Sequence, residues 1–198
     1  LMGHSMGSLA VRAFASEHDD CMDMLIVCGS PSENKARILG KVIATAEGKV
    51  LGYRHKSHVL ESLSFGSYVW KFRKEGNKNA WICSDPAVYQ AYTDSELCGF
   101  TFTDDAYIAL FNLMKKAYDI HKWSCKNPRM PVLFISGAED PCLGNVRKFA
   151  GAVHAMRRAG YLDVKGKLYP GMRHEILNEK GKERVWRDVV IYMKKKGF

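Results

Sequence analysis

The sequence lacks any apolar run of about 18 residues, the length that a membrane-spanning helix requires. It also contains no H-E-x-x-H motif, no P-loop and no G-x-G-x-x-G motif, so nothing indicates metal, nucleotide or dinucleotide chemistry. Internal repeats and low-complexity tracts are absent as well. We therefore expect a protein that needs no cofactor and no catalytic metal, and that makes at most peripheral contact with membranes.

None of the six cysteines forms a C-x-x-C pair, which argues against a zinc site or a thioredoxin-like motif. Cys28 lies in an apolar, strand-like run. The simplest interpretation is a set of free thiols in a reducing cytoplasm, although the sequence leaves a disulfide open. We accordingly predict a cytoplasmic protein, with the reservation that any signal peptide would precede Leu1.

The net charge of +9 is not concentrated in one stretch, because the lysines and arginines are scattered along the chain. A mixed surface of this kind is usually just solvated, and no nucleic-acid-binding motif accompanies it, so we predict no nucleic acid partner. The run Lys194-Lys195-Lys196 suits the C-terminus of a helix, where cations face the negative end of the dipole. A membrane-anchoring role for this run is the weaker alternative.

Strand-like and helical patterns alternate towards both ends of the chain. Short buried strands are predicted at 24–28, 132–136 and 164–169, and helices at 6–17, 146–158 and 182–195. Such an alternation is typical of an α/β fold, with a mostly parallel sheet and flanking crossover helices.

Residues 33–127 do not follow this alternation of strands and helices. This stretch has no clear buried strand, it contains many aromatic residues, and helical patterns occur at 35–45, 58–71 and 104–122. We interpret it as a helical insertion packed over the edge of the sheet. The predicted organisation is therefore a core of residues 1–32 and 128–198 with an insertion at 33–127.

The first motif with chemical content is Gly3-His4-Ser5-Met6-Gly7, which matches G-x-S-x-G. This pattern places a serine on a strained turn between a strand and a helix, with its hydroxyl exposed. The alternative is that Ser5 is only the N-cap of the helix that follows. The motif normally follows a complete strand, yet the sequence starts two residues before it, so we expect further sequence upstream.

A serine nucleophile needs a base, and the base needs an acid that holds it in place. Asp140 follows the strand predicted at 132–136, and His174 follows the one at 164–169. Both therefore lie in loops beyond the carboxyl ends of strands, where the sites of open α/β sheets gather. Taken singly, Asp140 could be an ordinary turn residue before proline and His174 a solvent-exposed loop residue. Glu139 is an alternative acid.

Together these pieces resemble the bacterial lysophospholipase and monoacylglycerol-lipase-like branch of the α/β-hydrolases, which are serine aminopeptidase-like hydrolases. The matching segments span nearly the whole chain and read GHSMGS (3–8), WICSD (81–85), LCGFTFT (97–103), ISGAEDP (135–141) and LYPGMRHEILNE (168–179). The resemblance implies the C-terminal part of an α/β-hydrolase fold with a helical cap at 33–127. It also implies Ser5 as nucleophile, Asp140 as acid and His174 as base, with the Met6 amide in the oxyanion hole.

Two departures from the family pattern stand out. Ser84 occupies a position where the family has an arginine. The first four strands of the fold are also absent, together with the loop that supplies the second oxyanion-hole amide, so we expect a piece of this length to be unstable or inactive by itself.

The resemblance implies hydrolysis of carboxylic esters through an acyl-enzyme on Ser5, with lysophospholipids or monoacylglycerols as the substrate type. We predict that the substrate contacts His4, Phe65, Trp70 and Phe100, although aromatic residues of the insertion could instead form its own core. Two alternatives remain. One is an amide or peptide hydrolase of the same fold, anchored by an acid such as Asp85, Asp94 or Glu96; the other is a truncated, non-catalytic fragment.

Overall fold

The computed structural model describes residues 1–198 and contains one sheet of four parallel strands. The strands are β1 (Met2–His4), β2 (Leu25–Cys28), β3 (Val132–Gly137) and β4 (Val164–Tyr169), and they lie in the order β1-β2-β3-β4. The prediction of a parallel α/β sheet is confirmed. Strands β2 to β4 fall within one residue of their predicted bounds, and β1 adds a short strand directly before the G-x-S-x-G motif.

Seven α-helices surround or precede the strands, namely α1 (Met6–His18), α2 (Arg37–Leu51), α3 (His58–Lys71), α4 (Pro86–Asp94), α5 (Asp104–Tyr118), α6 (Val146–Arg158) and α7 (Lys182–Lys194). The prediction missed α4, whose start is set by the Asp85 side chain accepting a hydrogen bond from the Ala87 amide at 3.0 Å and by Pro86 in the first turn. The helix predicted at 104–122 ends at Tyr118, and a short 3-10 helix, Ile120–Lys122, follows it. No helix in the structure combines the length and apolarity that spanning a membrane demands.

The sheet is buried on both faces, because alternate residues of its central strands belong to two separate cores. One face carries Leu25, Val27, Val132 and Phe134 and packs with residues of α1 and α6. The other face carries Ile26, Cys28, Leu133 and Ile135 and packs with residues of α7. This burial explains why β2 and β3 read as continuous apolar runs rather than as alternating patterns.

The helical stretch between β2 and β3 packs onto the sheet layer through α1. Leu9 of α1 is fully buried among residues of α2, α3 and α5, including Ala44, Leu60, Tyr107 and Phe111. No strand occurs in this stretch; an isolated bridge joins Lys56 to Thr103. The division of the chain into a core and an insertion stays a prediction.

Asp19, just after α1, is a buried carboxylate that joins three parts of the core. It accepts hydrogen bonds from the amides of Lys126 and Asn127 at 3.0–3.2 Å and from the Tyr161 hydroxyl at 2.9 Å. The segment that leads into β3 is therefore fastened to the end of α1, and so is the turn after α6.

We expect Asp19→Ala to lower the free energy of unfolding by about 3 kcal/mol, because two partly buried amides and one buried hydroxyl would lose their acceptor. Denaturant unfolding of the full-length protein measures this. Asp23→Ala is the matched control, since this aspartate is exposed and close in sequence, and it should change the value by less than about 0.5 kcal/mol. Equal effects of the two substitutions would contradict the role given to Asp19.

Candidate active site

Ser5 occupies the sharp turn between β1 and α1. Its φ of 53° and ψ of −122° make it the only residue other than glycine with a positive φ. Such a conformation costs on the order of 1–3 kcal/mol and is characteristic of functional sites. The Ser5 side chain does not cap α1; its Oγ lies 2.8 Å from Nε2 of His174. The N-cap alternative is therefore not what the structure shows.

Of the two glycines that flank Ser5, only Gly3 is required by close packing. A Cβ atom at Gly3 would lie 2.3 Å from the carbonyl oxygen of Gly7 and 2.8 Å from a methyl of Val11. A Cβ at Gly7 would meet nothing within 4 Å. The first glycine of the motif thus lets α1 approach β1, whereas the second is not required by any contact within the chain.

His174 and Asp140 complete a continuous line of hydrogen bonds from Ser5. Nδ1 of His174 lies 3.0 Å from Oδ2 of Asp140. Asp140 also accepts hydrogen bonds from the Ser136 hydroxyl at 3.0 Å and from the Cys142 amide at 2.8 Å. Asp140 and His174 are only 2% and 3% exposed. Glu139, the alternative acid, is exposed and makes no side-chain hydrogen bond to the histidine.

Burial and neighbouring charges have opposite effects on the pKa values of His174 and Asp140. Burial alone would lower the pKa of His174, but the neighbouring Cys142 sulfur, the negative charge of Asp140 and the hydrogen bond to Asp140 together raise that pKa well above the ordinary value of 6.5. Burial alone would raise the pKa of Asp140, yet the pKa is lowered because His174, the Cys142 amide and the Ser136 hydroxyl all stabilise the carboxylate. The arrangement suits a strong base that is held by an ionised acid.

His4, whose contact with the substrate stays a prediction, contacts His174 in the structure. The two rings lie 4.7 Å apart, and Nε2 of His4 donates to the carbonyl oxygen of His174 at 3.1 Å. Burial and the neighbouring His174 lower the pKa of His4, which favours its neutral form. The structure therefore gives this side chain a clear contact with the loop that follows β4.

Three aromatic side chains, Phe65 and Tyr68 of α3 together with Trp81, form what we term the aromatic cluster. The Trp81 ring lies 5.1 Å from the His174 ring, and the rings of Phe65 and Tyr68 lie 5.9 Å and 5.3 Å from Trp81. Of these three residues the sequence had singled out only Phe65 as a substrate contact. Trp81 had appeared in the resemblance, as the first residue of the WICSD segment, but without an assigned role.

Trp70 and Phe100, the other two predicted substrate contacts, are exposed, and their substrate contact stays a prediction. Trp70 is 65% exposed, and the Arg73 guanidinium stacks 3.7 Å from its ring. Phe100 is 59% exposed and pairs with Phe102. Both side chains are largely exposed to solvent. Composition alone could not distinguish these two aromatic residues from Phe65.

Arg173 and Glu179 fasten the loop that carries His174 to residues 75–84 of the helical stretch. The Arg173 guanidinium forms an ion pair with Glu75 and donates to the carbonyl oxygen of Cys83 at 3.1 Å. Buried Glu179 accepts hydrogen bonds from the amides of Arg173 and Ser84, each at 2.8 Å, and from the Ser84 hydroxyl. Ser84, which departs from the family pattern, is therefore part of this connection.

Close packing against β3 holds the same loop from the other side. A Cβ atom at Gly137 would lie 2.0 Å from the carbonyl oxygen of Arg173 and 2.2 Å from that of Met172. Only glycine fits at this strand end, so the loop rests directly on the backbone of β3 and the ring of His174 is kept within reach of Asp140.

Two groups of side chains could hold a metal ion. Asp140, Cys142 and His174 form one, with one ligand atom from each within 4.8 Å of the others. Both ring nitrogens of His174 are already engaged there, one by Ser5 and one by Asp140. Glu47, His55 and Asp104 form the second group, which shares no residue with the triad.

Comparisons with known proteins agree with this geometry. A family model described as serine aminopeptidase, S33, matches residues 1–181. A thermostable carboxyl esterase from Bacillus coagulans is similar in structure, with a TM-score of 0.86 and 21% identity over 98% of this chain and 63% of that one. A lipase in its open form gives a TM-score of 0.84 and 20% identity over 98% and 64%. A soluble variant of monoglyceride lipase from Saccharomyces cerevisiae gives 0.68 and 18% over 98% and 64%.

At these identities the structural likeness shows a common fold, the α/β-hydrolase fold. The chain spans less than two thirds of the length of these three structures. The region matched by the family model includes the strained serine turn as well as the loops that carry Asp140 and His174. The chain therefore belongs to the serine aminopeptidase, S33, family of α/β-hydrolases.

Proposed function

We propose that this chain carries the catalytic centre of a serine hydrolase that cleaves carboxylic esters through an acyl-enzyme on Ser5. The observation that carries the proposal is the unbroken line of hydrogen bonds from Ser5 Oγ through the imidazole of His174 to the carboxylate of Asp140. The strained backbone of Ser5 supports it, because that strain has no role in capping the helix.

In the proposed mechanism Ser5 Oγ attacks the ester carbonyl carbon while Nε2 of His174 takes the hydroxyl proton. Asp140 keeps the other ring proton on Nδ1 and stabilises the imidazolium that forms. The imidazolium then protonates the leaving alcohol, and the acyl group remains on Ser5. A water molecule, deprotonated by His174, hydrolyses this acyl-enzyme and restores the free serine.

We assign one oxyanion-hole donor to the backbone amide of Met6. Met6 is the first residue of α1, so its N–H has no acceptor within the helix and lies at the positive end of the helix dipole. A position next to the nucleophile is where negative charge develops on the carbonyl oxygen. An oxyanion-hole donor of this kind is typically worth about 10² to 10³ in rate.

The aromatic cluster supports an apolar acyl group as the part of the substrate that is recognised. The Trp81 ring lies 5.1 Å from the His174 ring, and Phe65 and Tyr68 pack against Trp81 in the helical stretch that we propose acts as a cap over the site. We therefore favour a lipid ester of the lysophospholipid or monoacylglycerol type. The names of the similar structures, a carboxyl esterase and two lipases, agree with this substrate class.

An amide or peptide substrate is the second candidate, since the family description names aminopeptidases. An aminopeptidase of this fold needs a fixed acid that binds the substrate amine. Asp85 is used as the cap of α4, Asp94 accepts a hydrogen bond from Gln90 at 2.9 Å, and Glu96 is exposed. The three acids do not form such an anchor, which favours the ester.

Substitution Ser5→Ala in the full-length protein should abolish labelling by a fluorophosphonate probe and lower kcat for ester hydrolysis by about 10⁶. Intact mass before and after the probe, together with initial rates, provides the measurement. Ser67→Ala is the matched control, because this serine is exposed on α3 and should keep full labelling. An adduct that persists in the Ser5→Ala protein would rule out Ser5 as the nucleophile.

The pH dependence of kcat/KM should have an acidic limb above pH 6.5, because His174 must be neutral to accept a proton and its pKa is raised. Asp140→Asn removes the charge that raises this pKa, so the limb should move to lower pH while kcat falls by about 10⁴. Glu139→Gln is the control and should leave the profile unchanged. A limb that moves with Glu139 instead would assign the acid to that residue.

Trp81→Ala should lower kcat/KM for an octanoate ester about tenfold more than for the acetate ester, because only the longer acyl chain reaches the aromatic cluster. Rates with nitrophenyl esters of increasing chain length test this. Trp70→Ala, which removes an exposed ring of the same type, should have no such effect. If acetate and octanoate lose rate equally, Trp81 only positions His174 and the cluster does not bind the acyl chain.

A further inference from the structure

A second group of chemically active side chains lies outside the triad, where three elements of the helical stretch meet. Glu47 comes from α2, His55 from the turn between α2 and α3, and Asp104 is the first residue of α5. One ligand atom from each residue lies within 4.8 Å of the other two. None of their side-chain hydrogen bonds involves the catalytic residues.

One polar atom of this group has no partner although it is buried. Asp104 is 0% exposed, and its Oδ2 lies 3.1 Å from Nδ1 of His55. Its other oxygen, Oδ1, accepts no hydrogen bond. A buried carboxylate oxygen without a partner is costly, and the large majority of buried side-chain polar atoms find one. The unpaired Oδ1 is therefore available to a ligand.

The backbone around the group fixes the positions of the three side chains. The Asp104 amide donates to the carbonyl oxygen of His55 at 3.0 Å, beside the bridge between Lys56 and Thr103. The Ser57 hydroxyl donates to Oε2 of Glu47 at 2.5 Å and accepts a hydrogen bond from the Leu60 amide, so it also caps α3. Outer contacts of this kind orient metal ligands and improve affinity.

The charges of the group also call for a cation. Two carboxylates beside one imidazole, with one ligand atom from each within 4.8 Å of the others, leave excess negative charge in a partly buried place. A divalent cation would remove this repulsion and would give Oδ1 of Asp104 its missing partner.

We propose that Glu47, His55 and Asp104 bind a Zn²⁺ ion, with one ligand from each side chain and water in the fourth position. The imidazole favours zinc over Ca²⁺ and Mg²⁺, which prefer sites made wholly of oxygen ligands. The ion would join α2, the turn before α3 and the start of α5. The ion is separate from the reaction at Ser5, and no step of the proposed mechanism requires it.

The rival location for the same ion is the group formed by Asp140, Cys142 and His174. Geometry disfavours it, because both nitrogens of His174 are already hydrogen bonded, whereas His55 has only Nδ1 engaged. The two groups also differ in chemistry, because only the triad group contains a thiolate. That difference allows an experiment to distinguish them.

The first test is thermal unfolding and calorimetric titration of the full-length protein with ZnCl₂. We expect one Zn²⁺ per chain, and a rise in Tm of about 5–10 °C at a zinc concentration about 100 times the Kd. His55→Ala and Asp104→Asn should each abolish the rise and weaken binding at least tenfold. His58→Ala is the matched control, since this histidine is exposed one turn further along and should keep the full effect.

The second test uses Co²⁺ as a coloured substitute for zinc. A site made of Glu47, His55 and Asp104 should give visible d–d bands without a thiolate-to-metal charge-transfer band, and Cys142→Ala should leave the spectrum and the Zn²⁺ stoichiometry unchanged. A charge-transfer band that disappears in Cys142→Ala would place the ion at the triad and overturn the proposal. Absence of any Tm rise, or an undiminished rise in His55→Ala and Asp104→Asn, would overturn it as well.

Discussion

The parallel register of four short strands is the constraint on which the rest of the structure depends. His4 pairs with Cys28 and Gly137 pairs with Tyr169, so the chain leaves β1, β3 and β4 at the same edge of the sheet. Ser5 lies one residue beyond its strand and Asp140 three residues beyond its own, and His174 lies in the loop after β4. The side chains meet within 3.0 Å although most of the chain separates them in sequence. A slip of one residue in any pairing would exchange the faces of that strand and separate the triad.

The site places several unfavourable features together, and its surroundings compensate for them. Ser5 has a strained backbone, while Asp140 and His174 are charged or titratable groups deprived of water. Every polar atom of Asp140 and His174 that the mechanism uses nevertheless has a partner, and the close contacts at Gly3 and Gly137 leave the neighbouring loops no room to relax. The two cores on either face of the sheet supply the stability that maintains this arrangement.

Much of this could be predicted from sequence because it depends on local patterns. Strands β2 to β4 and α6 are strongly periodic or continuously apolar, and the order of Ser5, Asp140 and His174 restricts the chemistry. What could not be predicted depends on contacts between distant segments. Trp81 reaches His174 only after the helical stretch has folded back, and the ring of His4 contacts the loop that carries His174. No regular spacing in the sequence relates Glu47, His55 and Asp104. They come together only because α2 packs against α5.

The ties between the loop of His174 and residues 75–84 have a consequence for how the site can open. Arg173 forms an ion pair with Glu75, and buried Glu179 accepts hydrogen bonds from the amides of Arg173 and Ser84, so residues 75–84 are tied to the loop of His174. Under the proposed mechanism, a hinge motion that lifted residues 75–84 away would strain these ties and draw the imidazole of His174 from Ser5, which would stop the reaction. Substrate could therefore enter without disturbing the imidazole only if the part that opens lies in other helices. The site would then stay ready for chemistry while it is open.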